Sequence, residues 1–261
     1  MNTLGNLIDG LAENGDGPAL IAAEGETWSR ARLRSDALRF ASGLLAAGIE
    51  PRQVVGILAP SQPEWAVVLL GIVRSGAIAM PLNEQMGDQE LERVLEHSGC
   101  RALITTAALA TRTPALDRVD SLILLDDEVP ADFERPQARS WRALLHDEPG
   151  DLPELQPDEP TLLLYTSGTT GTPKGVPLTH RNICANLQAL LTAGLASPAD
   201  RVLLPLPLHH AYPLTVGLLA PLAVGAAVVL PAGITGPQVM RALNEQRCTI
   251  MIAVPRLYEA M

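Results

Sequence analysis

Short apolar runs alternate with stretches of helical apolar spacing along this chain, and Gly or Pro stands at most of the junctions. That alternation leaves few folds open. Ser29 is placed to cap a helix that runs to about Ala47 and stops at Gly48. Within it Leu33, Ala37, Phe40, Ala41, Leu44 and Leu45 recur at helical spacing and make one apolar face. Val54–Leu58 is a buried strand. Pro63 and Glu64 open a helix that ends near Gly76, with Ser61 and Glu64 at capping-box spacing. Ala77–Met80 is the next strand, closed by Pro81, and a helix from Asp88 to Gly99 precedes strands at Arg101–Thr105 and Ser121–Leu125. After residue 160 the pattern resumes. Strands are expected at Thr161–Tyr165, Arg201–Pro205, Ala226–Leu230 and Thr249–Val254. Helices are expected from Thr179 to about Leu195, at Leu214–Ala223, at Gln238–Gln246 and from Pro255 onward. Strands separated by helices predict an α/β fold of parallel-sheet layers flanked by helices, with right-handed crossovers.

Residues 126–160 break the pattern. They hold 11 acidic residues and six prolines, which predicts an exposed, partly irregular connection with a short helix near Ser140–His146. The chain then divides into a first α/β subdomain (1–125), an acidic connection (126–160) and a second α/β subdomain (161–261). Hydrophobic residues at 47% and charged residues at 18% describe a chain able to bury a core and exclude a disordered one. The net charge of −10 excludes a general nucleic-acid binder. It is unevenly spread: residues 161–261 carry 6 Lys+Arg against 3 Asp+Glu, so an anionic ligand is expected there. Cys100, Cys184 and Cys248 lie far apart with no metal-ligand spacing, which suits a reducing compartment such as the cytoplasm. The start of the chain lacks the basic and apolar regions of a signal peptide. Val202–Met240 contains no charged residue, but Pro213, Pro221, Pro231, Gly217 and Gly225 interrupt it. A buried helix followed by a buried strand is expected there, not a transmembrane segment.

The loop TSGTTGTPKG (166–175) carries the chemistry. Gly168, Gly171 and Gly175 permit close backbone approach, Thr166, Ser167, Thr169, Thr170 and Thr172 supply hydroxyls, and Lys174 supplies a cation. Amides, hydroxyls and an ammonium together suit polyphosphate oxygens. The spacing is neither that of a Walker loop nor GxGxxG, so phosphate binding is expected without the usual P-loop helix N-terminus. Lys174 is the only lysine beside 18 arginines. A compact point charge stands here in a chain that otherwise uses planar guanidinium groups.

The stretch YTSGTTGTPKGVPLTHRN (165–182) resembles the signature of the adenylate-forming superfamily, which includes acyl-CoA synthetases, nonribosomal-peptide adenylation domains and beetle luciferases. Residues 25–49, 54–83 and 204–214 resemble other blocks of that family in their usual order. The resemblance implies the incomplete large amino-terminal domain of such an enzyme, since members run to about twice this length. It implies attack of a carboxylate, here a fatty acid, on the α-phosphate of ATP, then transfer of the acyl group to coenzyme A. By the same resemblance Thr166 helps hold Mg²⁺, Lys174 follows the pyrophosphate, and Ser167, Gly168, Thr169, Thr170 and Gly171 surround the β- and γ-phosphates.

His209-His210-Ala211-Tyr212 ends a predicted strand, where parallel folds bind ligands. The resemblance implies that His210 lines the carboxylate pocket and that Tyr212 stands at its edge. His180, Arg181 and Asn182 are assigned to a helix start, and His97 and His146 to the surface of helices. The family's adenine motif, acidic metal ligand, ribose-binding Asp and second catalytic Lys are not in this stretch. An unfinished sheet edge able to pair with another chain is therefore expected, and residues 1–261 alone are expected to make no acyl-CoA. The alternatives are a non-catalytic nucleotide-binding or interaction remnant, or an adenylating domain for aryl or amino acids.

Overall fold

The computed structural model describes residues 1–13, 15–23, 25–135, 137–146, 148–166 and 173–259, the side chains of residues 117 and 118 excepted. In chain order the helices are α1 (Leu4–Asp9), α2 (Arg30–Ala46), α3 (Pro63–Arg74), α4 (Asp88–Ser98), α5 (Ala107–Thr111), α6 (His180–Ala193), α7 (Ala220–Val224), α8 (Gly236–Glu245) and α9 (Pro255–Glu259). The strands are β1 (Pro18–Ala22), β2 (Thr27–Ser29), β3 (Val54–Leu58), β4 (Ile78–Pro81), β5 (Ala102–Thr105), β6 (Ser121–Leu124), β7 (Ala138–Ser140), β8 (Pro160–Thr166), β9 (Lys174–Thr179), β10 (Arg201–Leu203), β11 (Ala227–Leu230) and β12 (Ile250–Met251). They fall into two compact units, residues 1–35, 61–63 and 181–261 in the first and 36–60 and 64–180 in the second.

The first unit holds a five-stranded sheet in the order β12-β10-β11-β1-β2, parallel except for β2. Strand β1, near the start of the chain, pairs with β11, so residues about two hundred apart in sequence form one sheet. The uncharged stretch becomes a π-helical turn (Pro213–Leu219), α7 and β11, with Leu214, Leu218, Leu222, Val228 and Val229 buried. No helix among the described residues is long and apolar enough to cross a membrane. Arg30 is buried, and its guanidinium donates to the carbonyls of Gly15 and Gly225, tying the start of α2 to the turn before β11.

The second unit holds a seven-stranded sheet in the order β7-β6-β5-β3-β4-β8-β9, parallel except for β9. The strands and helices expected here form close to the anticipated bounds. The Ser29 hydroxyl accepts from the Arg32 amide and starts α2, and Gly48 and Gly99 end α2 and α4 with positive φ. The Ser61 hydroxyl, expected to cap a helix, accepts the amide of Leu208, both of them in the first unit, while α3 begins at Pro63.

Residues 126–160 are mostly exposed and irregular, with a short 3₁₀ helix at Trp141–Leu144, as expected, but they also join the second unit. They contribute β7, which extends the sheet alongside β6, and a short 3₁₀ turn that buries Trp141 and Leu144. Side chains of two helices also hold this segment: Arg39 donates to the His146 carbonyl at 2.6 Å, and Arg74 donates to the Pro153 carbonyl at 3.0 Å. The charges stay at the surface while the backbone and a few apolar side chains join the unit. Gly43 of α2 shows how close the approach is. A Cβ there would stand 2.7 Å from the Leu144 carbonyl carbon and nearer still to its oxygen. Gly43→Ala is therefore expected to lose at least about 3 kcal/mol, measured as a shift in the urea midpoint, because backbone and not a flexible side chain would have to move.

Candidate functional site

In the second unit the flanks of the glycine-rich loop form an antiparallel ladder. Thr166 stands opposite Lys174, Tyr165 opposite Gly175 and Leu164 opposite Val176. The helix expected after the loop is preceded by this extra strand, β9, whose residues are exposed or half-buried and none buried. The loop thus joins two antiparallel strands, a setting without a P-loop helix N-terminus. Directly opposed residues of such a ladder project to the same face with Cβ atoms about 5 Å apart. The Thr166 hydroxyl and the Lys174 ammonium therefore leave one face at the open end of the hairpin, and both residues are exposed. Ser167, Gly168, Thr169, Thr170, Gly171 and Thr172 lie outside the described residues.

Among the described residues no group of three or more His, Cys, Asp and Glu side chains gathers as metal ligands. The Thr166 hydroxyl is a hard oxygen donor at an exposed strand end, the chemistry Mg²⁺ accepts. One such donor fits an ion held mainly by phosphate oxygens and water.

Tyr165, one residue before the loop, is half-buried. Its ring lies across Gly175, where an added Cβ would come within 3.2 Å of the Tyr165 ring carbon Cζ and of Leu163 Cδ1. The Tyr165 hydroxyl lies 2.6 Å from Nδ1 of His97, whose ring meets it edge-on. Burial raises the Tyr165 phenol above its ordinary value, against a lowering hydrogen bond to Ser98. His97 does stand exposed on α4 as expected, but nothing in its local sequence discloses a partner 68 residues away.

In the first unit β10 leads to the histidine pair. The Leu208 amide is held by Ser61, and the His210 carbonyl accepts the Leu214 amide at 3.1 Å, which starts the π-helical turn. The two imidazoles lie 4.1 Å apart between centroids and are tilted by 52°. His209 is half-buried and His210 is exposed. Burial first, and then the neighbouring His210, lowers His209 to about 4, so it is neutral at pH 7. Tyr212 borders a cavity of about 230 Å³ whose other walls are apolar, among them Leu191, Val216, Pro221, Val224 and Ile252.

His180 opens α6 with its backbone amide on the Glu159 carbonyl. It is 2% exposed, and burial lowers it from 6.5 to about 4, partly opposed by the Glu159 charge. A histidine depressed in the folded state opposes folding once protonated. Its contribution is whole above pH 6.5 and is lost as pH falls toward 4. Urea unfolding between pH 7 and 5 is expected to show a slope that His180→Gln reduces, with about 2 kcal/mol at stake between pH 6.5 and 5. Parallel slopes in the two proteins would refute a buried neutral His180.

The sequence profile of the AMP-binding enzymes matches residues 9–261. The sulfoacetate–CoA ligase of Cupriavidus necator is 36% identical over 93% of this chain and 47% of its own length. The feruloyl-CoA synthase of an Amycolatopsis species is 35% identical over 91% of this chain and 45% of its own. This chain thus spans about half the length of the curated relatives it matches. Among solved structures, apo MbtA of Mycobacterium smegmatis superposes with a TM-score of 0.85 at 30% identity, over 99% of this chain and 49% of that one.

Proposed function

Because the chain belongs to the AMP-binding enzyme family, we propose that it forms the ATP-handling part of an ATP-dependent acid–coenzyme A ligase. The observation that carries the reading is the hairpin register that sets the only lysine beside Thr166 at the two ends of a loop of glycines and hydroxyls. In the first half-reaction a carboxylate oxygen bonds to the α-phosphorus of ATP and the bond to pyrophosphate breaks. In the second, the coenzyme A thiol takes the acyl group and AMP leaves. Lys174 neutralises charge on the departing pyrophosphate, and Ser167, Gly168, Thr169, Thr170 and Gly171 offer amides and hydroxyls to the phosphates. Thr166 is the residue that would hold Mg²⁺, which shields the phosphate charges when bound. His210 donates a hydrogen bond to the acid carboxylate.

The acid we propose has an apolar body, a fatty acid first. The cavity beside Tyr212 supports this, since its lining side chains other than Tyr212 are apolar and none is a cation for a second carboxylate or a sulfonate. An aryl acid is the second reading, favoured by the likeness to a feruloyl-CoA synthase. Pyrophosphate exchange in the whole protein tests both. Octanoate or ferulate is expected to be activated well ahead of sulfoacetate and oxalate. Val216→Phe, which narrows the cavity, is expected to cut kcat/KM for the larger acids about tenfold or more while sparing acetate. A preference for the small polar acids would overturn the apolar assignment.

A further inference from the structure

Strand β9 is an edge strand that pairs with β8 in the sheet and has no buried residue, yet it carries Lys174 at its first position. Little burial holds its loop end in place. What bears on it is the Tyr165 ring, which lies across Gly175 and stands in the chain directly before Thr166. The far end of that ring is bonded to His97. His97 sits in the last turn of α4, a helix fixed by Leu91, Val94 and Leu95 in the hydrophobic core of the second unit and closed by Gly99. The same core takes the partly buried Tyr165 ring. An unbroken run of contacts therefore leads from the core through α4, His97 and Tyr165 to the residues at both ends of the loop.

We propose that His97 is a positioning residue for the phosphate loop: by accepting the Tyr165 hydroxyl it fixes the strand pair from which Thr166 and Lys174 project. The inference rests on the reading of residues 166–175 as a polyphosphate site. This role requires the phenol to donate and Nδ1 to accept, which is the imidazole tautomer with its proton on Nε2. His97 touches no phosphate itself. Its effect reaches the ligand through Tyr165.

The sole lysine makes the test direct. Reductive methylation with an isotopic label keeps the charge and gives a single side-chain lysine resonance, distinct from that of the amino terminus. Inorganic pyrophosphate titrated into the 261-residue chain should shift that resonance saturably. His97→Ala and Tyr165→Phe should each raise the dissociation constant roughly 3- to 10-fold, the scale of one hydrogen bond. His97→Asn, whose Oδ1 takes the place of Nδ1, should return to within about twofold of the parent, a rescue that loss of fold would not permit. The double variant His97→Ala with Tyr165→Phe should be no weaker than Tyr165→Phe alone, because His97 acts only through that hydroxyl, which Tyr165→Phe already removes together with its bond to Ser98. Tyr165→Phe removes a single hydroxyl and keeps the ring, so it reports even where His97→Ala fails to fold. Unchanged pyrophosphate affinity in Tyr165→Phe, an Asn variant as weak as Ala, or additive losses would overturn the role of His97 and leave the phosphate reading standing. No saturable shift in the parent chain would overturn both.

Discussion

Lys174→Ala is expected to slow adenylate formation in the whole protein by roughly 10- to 1000-fold, the range for loss of one group that stabilises developing charge. ATP–pyrophosphate exchange measures it. The expectation comes from two independent facts. Composition makes this residue an exception, one lysine against 18 arginines. Register places it opposite Thr166 at the open end of the β8–β9 ladder, exposed. No ion pair to Lys174 occurs among the described residues, so nothing there competes with a phosphate for its charge. Lys174→Arg should recover only part of the rate. A guanidinium keeps the charge but presents a planar fork where a compact ammonium can follow a moving phosphate. Exchange unchanged in Lys174→Ala would remove the loop from the reaction.

Much of this arrangement is written locally and could be read without the structure. A cap at Ser29, a stop at Gly48 and apolar runs such as Val54–Leu58 each act over a few residues, and the helices and parallel strands they predict form. What escaped was set by distant partners. β9 carries Pro177, which an edge strand tolerates because one of its sides is not paired in the sheet, and with no buried residue it shows no apolar alternation to read. Residues 126–160 are largely the exposed, irregular stretch that their charges imply, and only the three-residue ladder of β7 and the buried Trp141 depend on partners outside it. β1 finds its parallel partner only at β11. At the candidate site, the loop stood out through its glycines, hydroxyls and sole lysine, and the histidine pair through the family resemblance. His97 did not, because an exposed histidine on an amphipathic helix is ordinary until Tyr165 is brought to it.

The two adjacent histidines should separate sharply by substitution. His210→Ala is expected to lower acid-dependent pyrophosphate exchange roughly 10- to 100-fold, the scale of a lost hydrogen bond to a charged group. His209→Ala should cost only a few-fold, through lost packing. The geometry supplies the reason. His210 is exposed, with its carbonyl fixed by Leu214, so its ring is free to meet a ligand while its backbone is held. His209 is half-buried, lowered to about 4 and therefore neutral at working pH, and its ring lies against that of His210. A neutral ring used for packing can be replaced by another ring. His209→Phe should keep near-parent exchange, because the contact surface survives, whereas His210→Phe should be as poor as His210→Ala, because no donor remains. Varying the acid at saturating ATP separates binding from turnover. If His209→Phe proved as damaging as His210→Phe, the imidazole of His209 would be required chemically, and the assignment of the donor within the pair would have to be exchanged.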